Sequence, residues 1–243
     1  VRDNNLYVNL FAANTATMAV GGHNVTLTQE TAYPWNGDIT IRIDRNRGKE
    51  FTMKVRIPGW VRGQVVPGDL YSYDDETAPK YSVTVNGTEV KNAPTADGYF
   101  SISRRWKRGD VIRIHLDMLP RVVKANTKVA DNRGKIAVER GPLVYCAEQA
   151  DNEGFNSHHV LLSRQPRFLI TEDYKIRNTE SDGRTFSVTA ITVDNAQEAS
   201  IDTDGTLRTK DVRLTLIPYY AWNHRGAGRM DVWMAKNFDG LGE

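Results

Sequence analysis

The chain has 243 residues, with 32 Lys and Arg against 30 Asp and Glu, a formal net charge of +2, and one cysteine. The two signs of charge are interspersed, so no basic tract offers itself to phosphates and nucleic acid is not an expected partner. One cysteine excludes an internal disulfide, and no apolar run approaches the roughly 20 residues of a membrane-spanning helix, so no membrane association is expected either.

The opening residues, Val1-Arg2-Asp3-Asn4-Asn5, are neither a signal peptide nor an initiator methionine, so the chain is expected to be cut from a longer one. Strand alternation then dominates. Ile39, Ile41 and Ile43 share one face, and Phe51, Met53, Val55 and Ile57 share another, with Thr52, Lys54 and Arg56 opposite. In YSVTVNGTEV, two alternating runs meet at Asn86-Gly87, which suits a two-residue type I′ hairpin turn. Ile112, Ile114 and Leu116 repeat the alternation, leaving Arg113 and His115 to water. Pro120 breaks this ladder. Beyond it, strand-like runs end in VRLTLIPYYAWN, with a loop-rich stretch from Glu148 to Arg167.

Helical periodicity is nearly absent, and Gly, Pro, Asn and Asp punctuate the chain at short intervals. The expected fold is all-β: two antiparallel β-sandwich domains in tandem, at residues 1–119 and 120–243, with almost no helix. A closed barrel is the alternative arrangement of such strands.

Candidate chemistry is sparse. Cys146 sits in LVYCA, an apolar strand context with no adjacent cation to lower its pKa, and reads as a small buried hydrophobe. His158 and His159 are neighbours and would point apart on a strand, while His115 and Asp117 supply only two ligands, so no metal site is expected. The acidic runs at Asp74 to Glu76 and Thr171 to Asp173 read as solvated turns. Asn24-Val25-Thr26 and Asn86-Gly87-Thr88 match the glycosylation sequon, a weak motif that at Asn86 the hairpin already explains. No nucleophile elbow, P-loop or dinucleotide fingerprint is present.

Two kinds of surface stand out. Tyr219, Tyr220, Trp222, His224 and Arg225 form the most sugar-like cluster, because aromatic faces and guanidinium donors suit a polyol; core aromatics beside a polar turn are the competing reading. Gln29, Glu30, Tyr33 and Trp35 make an aromatic corner, and Trp60 ends a strand at a second. Both corners read as exposed docking surfaces for another domain.

The segments LYVNLF, VTLTQETAYPW, FTMKVRIPGW and VTVNG, the pattern Y-x-x-I-x-R-x-W-x-x-G-D from Tyr99 to Asp110, RGPLVYC and LTLIPYYAWNHRG resemble, in that order, the C-terminal region of glycoside hydrolase family 127, which includes β-L-arabinofuranosidases. The resemblance implies a bacterial enzyme whose N-terminal (α/α)6 barrel precedes β-sandwich domains. In that family a retaining reaction uses a zinc-bound cysteine nucleophile and an acid/base glutamate, all on the barrel. Cys146 matches a sandwich strand rather than the nucleophile motif, so no catalytic or metal-binding residue is expected here, and zinc is expected only in the absent barrel.

The resulting expectation is a non-catalytic accessory portion, inactive alone, whose partners are the barrel of the same parent chain and a second copy in a homodimer. The alternative is a carbohydrate-binding module that takes an oligosaccharide. The compartment stays open between bacterial cytoplasm and periplasm.

Overall fold

The computed structural model describes residues 1–75, 78–163 and 165–241. Among these the chain is all-β, and its helical content consists of short 3-10 turns such as Trp60–Arg62 and Ser157–His159. Among the described residues, no helix is long and apolar enough to cross a membrane. It divides into two compact units, Val1–Gln64 with Thr77–Leu119, and Val65–Glu76 with Pro120–Glu243.

The first unit contains β1 (Asn5–Val8), β2 (Asn14–Val20), β3 (His23–Thr31), β4 (Asp38–Arg45) and β5 (Glu50–Arg56). After β6 (Tyr71–Tyr73), which belongs to the second unit, it resumes with β7 (Tyr81–Val85), β8 (Thr88–Glu89), β9 (Tyr99–Arg105) and β10 (Val111–Leu116). They form a three-stranded sheet, β1-β5-β9, and a six-stranded sheet, β2-β3-β4-β10-β7-β8. The alternation is realised as read: Ile39, Ile41 and Ile43 of β4, Met53 and Val55 of β5, and Ile112, Ile114 and Leu116 of β10 are all buried. One pairing departs from the antiparallel expectation. β1 runs parallel to β5, and the crossover this requires is made by β2 to β4 in the other sheet.

Two tight features set the register of the six-stranded sheet. Asn86 (φ +52°) and Gly87 (φ +81°) form the two-residue turn between β7 and β8. Asn86 then uses its whole side chain: Oδ1 accepts from the Val111 N–H at 2.9 Å and Nδ2 donates to Asp110 Oδ1 at 2.9 Å. Asp110 Oδ2 accepts from the Lys107 N–H at 2.8 Å, and Arg104 lies 3.8 Å away. Trp106, fully buried, donates its indole N–H to the Phe51 carbonyl at 3.0 Å. At the other end of β10, Gly37 lies against Leu116 so closely that a Cβ would sit 1.9 Å from the Leu116 carbonyl oxygen.

The second unit contains β6, β11 (Pro120–Ala125), β12 (Lys135–Arg140), β13 (Leu143–Glu148), β14 (Val160–Leu161), β15 (Phe168–Arg177), β16 (Thr185–Ile201), β17 (Leu207–Pro218), β18 (Met230–Asp231) and β19 (Met234–Ala235). Its ladder returns on itself through β12-β13-β17-β16-β14-β19-β12, so the two layers share hydrogen bonds at their margins as a closed barrel does. Inside lie Val138, Tyr145, Ala147, Ile191, Val193, Leu214 and Leu216. A second apolar layer, Cys146, Ile176, Val188, Ala190, Ile217 and Ala221, covers the other face of β13, β16 and β17. Both faces of β13 are thus buried, which is why LVYCA is a nearly continuous apolar run. β6 pairs with β11 at Tyr73↔Val123, so the segment from Val65 packs with the second unit although it precedes residue 119 in the chain.

Burial raises the Asp110 pKa, but the Asn86 amide, the Lys107 N–H and nearby cations outweigh it, and the net shift is downward. A depressed carboxylate stabilises the fold above its unfolded pKa, and that stability is lost as pH falls through the folded value, on the acid side of about pH 4. Asp110→Asn is expected to cost about 1–3 kcal/mol at pH 7. Denaturant melts should show this gap narrowing sharply at pH 3; a gap equal at both pH values would contradict the assignment.

Candidate functional site

In the second unit, the turn after β17 carries the aromatic cluster. Tyr219 and Tyr220 are exposed at 45% and 48%, and Tyr219 lies 6.4 Å from Trp222 between ring centroids at an angle of 35°. The other three candidates are less exposed. Trp222 packs against the second apolar layer. His224 meets the Phe186 ring edge-on at 5.2 Å, and its Nδ1 lies 3.3 Å from the Asn178 amide. The Arg225 side chain is only 15% exposed and donates to both oxygens of Asp151 and to Glu148 Oε2. Opposite charges hold the guanidinium pKa up despite burial. Tyr174 Oη adds a hydrogen bond to Asp151 at 2.7 Å, and burial pushes that phenol up to about 12. Asn152 completes the network, donating to the carbonyls of Glu148 and Thr215 and accepting from the Thr215 N–H.

Cys146 lies beside this network. It is 0% exposed and pairs with Ile217 in the β13–β17 ladder. Burial first, then the Glu148 and Asp151 carboxylates, push its thiol up to about 12. A nucleophilic thiol needs the opposite shift, so this one stays protonated and unreactive at neutral pH.

The corners of the first unit differ from one another. Trp35 follows a turn closed by its N–H to the Ala32 carbonyl at 2.9 Å, with Tyr33-Pro34 in cis, and is 54% exposed. Trp60 was expected to be exposed and is 7% exposed: its indole N–H donates to Tyr33 Oη at 3.3 Å. Tyr33 is half-buried, packs edge-on against Phe11 at 5.5 Å, and has its phenol pKa raised by burial. Tyr33 and Trp60 therefore join the two corners in one packed contact. Glu30 is exposed and pairs with Arg42 at 3.1 Å, while Gln29 Oε1 is buried without a hydrogen-bond partner among the described residues.

A cleft absent from the sequence reading lies on the second unit, with a volume of about 450 Å³. His158 Nδ1 pairs with Asp231 Oδ1, and Ser157 Oγ donates to Asp231 Oδ2 at 2.8 Å; Lys135, Arg229 and Trp233 share the lining. The adjacent histidines were the one visible signal. Asp231 lies 74 positions beyond Ser157, a separation that only the β13–β18 pairing brings together.

Among the described residues, no three His, Cys, Asp or Glu side chains converge as metal ligands. His115 approaches Asp38 at 2.7 Å and Asp117 at 3.2 Å, but through opposite ring nitrogens, so the three cannot share one ion. The described residues therefore offer no ligand set for a zinc ion.

Residues 5–118 match the family description "Beta-L-arabinofuranosidase, GH127 middle domain", and residues 120–235 match "Glycoside hydrolase family 127 C-terminal domain". The chain belongs to glycoside hydrolase family 127. It is 30% identical over 245 residues to the non-reducing end β-L-arabinofuranosidase of Bifidobacterium longum subsp. longum, covering 93% of this chain and 32% of that relative. A solved GH127 β-arabinofuranosidase is 49% identical with a TM-score of 0.88, over 100% of this chain and 36% of the other. The GH127 β-L-arabinofuranosidase of Geobacillus stearothermophilus T6 is 30% identical with a TM-score of 0.78, over 97% and 34%. The chain thus spans about a third of the length of these relatives.

Two of the family-like segments meet in the Arg225 network, since RGPLVYC runs directly into Glu148 and LTLIPYYAWNHRG ends beside Arg225. In this family 127 chain, Arg225→Met would leave Glu148 and Asp151 buried without a cation, at an expected cost of about 3–5 kcal/mol. Urea unfolding should report that loss. A destabilisation within about 0.5 kcal/mol of zero would show that the network contributes nothing to the fold.

Proposed function

We propose that this chain is the non-catalytic β-sandwich portion of a glycoside hydrolase of the retaining β-L-arabinofuranosidase type, supporting a catalytic barrel elsewhere in the same parent chain. The observation that carries the reading is Cys146, the only thiol available, buried and pushed up to about 12. The names of relatives some three times as long support the parent activity. In this reading, zinc and the nucleophilic thiolate belong to the barrel, and Trp35 is the side chain through which the first unit docks on it.

The test uses a chromogenic β-L-arabinofuranoside with both the 243-residue chain and the full-length parent. The chain alone is expected to be inactive, and Cys146→Ala in the parent to keep its kcat and KM. Hydrolysis by the chain that disappears in Cys146→Ala would overturn the proposal. For the docking surface, Trp35→Ala should lower the Tm of the parent by a few degrees more than it lowers the Tm of the isolated chain. Equal shifts in both would assign Trp35 to the internal packing of its own unit.

A further inference from the structure

The cleft between the 3-10 turn Ser157–His159 and the Arg229–Ala235 segment has no part in the accessory role. Its geometry excludes hydrolysis by a serine triad. Such a triad needs serine bonded to histidine, whereas Ser157 and His158 here bond separate oxygens of the same carboxylate, Asp231. Ser157 is buried and the Asp231 side chain is 12% exposed, so this is a packed hydrogen-bonded wall.

The Asp231 carboxylate is engaged inside that wall by His158 and Ser157, but two cations at the cleft have no such partner. Lys135 and Arg229 line the same cleft, and neither has a carboxylate within 4 Å among the described residues. Trp233 completes the lining with an aromatic surface fixed by stacking on Tyr71, at 5.8 Å between centroids and 29° between planes. About 450 Å³ is enough for one or two sugar rings.

We propose that this cleft binds an acidic saccharide, with Arg229 and Lys135 taking the carboxylate of a uronic acid and Trp233 the apolar face of its ring. The fork of a guanidinium matches a planar carboxylate in two hydrogen bonds. Asn156, His159 and the Asp231–His158 pair supply donors and acceptors for hydroxyl groups at the same opening. The saccharide half of the proposal rests on the glycoside hydrolase reading above, and the acidic half rests on the two unmatched cations.

The test is isothermal titration of the 243-residue chain with digalacturonate, neutral arabinobiose and inorganic phosphate at low salt. Digalacturonate is expected to bind, and Arg229→Gln to weaken it by about tenfold or more. Lys135→Gln, also at the rim, should weaken it less, and far-UV circular dichroism should show both variants folded. Absence of digalacturonate heat would overturn the proposal. Arabinobiose binding equally well would remove the acidic specificity, and phosphate binding equally well would reduce the cleft to an anion site; either result overturns it. None of these outcomes depends on catalysis, so failure here leaves the accessory reading standing, and activity in the chain alone would sink that reading without affecting this one.

Discussion

A buried charge must be matched where it lies, and in the second unit that constraint organises everything around Arg225. The guanidinium draws together Glu148 at the end of β13, Asp151 in the following 3-10 turn and the chain leaving β17. Removing such charges from water costs several kcal/mol per ion, and the loss is recovered only when the remaining donors and acceptors are also satisfied. Tyr174 supplies one to Asp151 and the Asn223 N–H one to Glu148, Asn152 ties the Glu148 backbone to β17, and Arg225 Nε is buried without a partner among the described residues. The aromatic segment beyond β17 is thereby held down as a lid on the second apolar layer, and a sequence that looks like a binding platform becomes mostly a covering.

The first unit applies the same rule on a smaller scale. Asp110 is buried because Asn86, Lys107 and Arg104 surround it, and Asn86 is available because the hairpin turn places it in the left-handed region. The spaced residues between Tyr99 and Asp110 therefore serve one local structure: Trp106 fills the core, and the Asp110 carboxylate ties β10 to the β7–β8 turn. These segments build an interior, which agrees with the supporting role proposed above.

The alternation of β4, β5 and β10 and the Asn86-Gly87 turn were legible in sequence because their causes are local: side-chain period and backbone conformation. Features that depend on distant pairing were not. The parallel β1–β5 pair is set by a crossover through another sheet, and closure of the second unit depends on β12 pairing with both β13 and β19. Trp60 looked exposed because its strand ends at Pro58-Gly59, but its indole turns inward to Tyr33, 27 positions earlier. Arg225 looked like a sugar ligand for the same reason, its carboxylate partners being 77 and 74 positions away. Tyr219, Tyr220 and Trp35 kept the exposure their sequence suggested.

The excursion that carries β6 away from the first unit has a consequence for how such proteins can be recombined. The middle and C-terminal family segments abut at residues 118 and 120, yet Tyr71–Tyr73 pairs with β11 on the far side of that seam. A gene fusion made at the seam would hand its recipient a C-terminal unit with β11 stripped of a neighbour, while the donor kept an orphan strand inside its own sequence. The two units are interleaved in sequence, and they should travel between enzymes only as a pair.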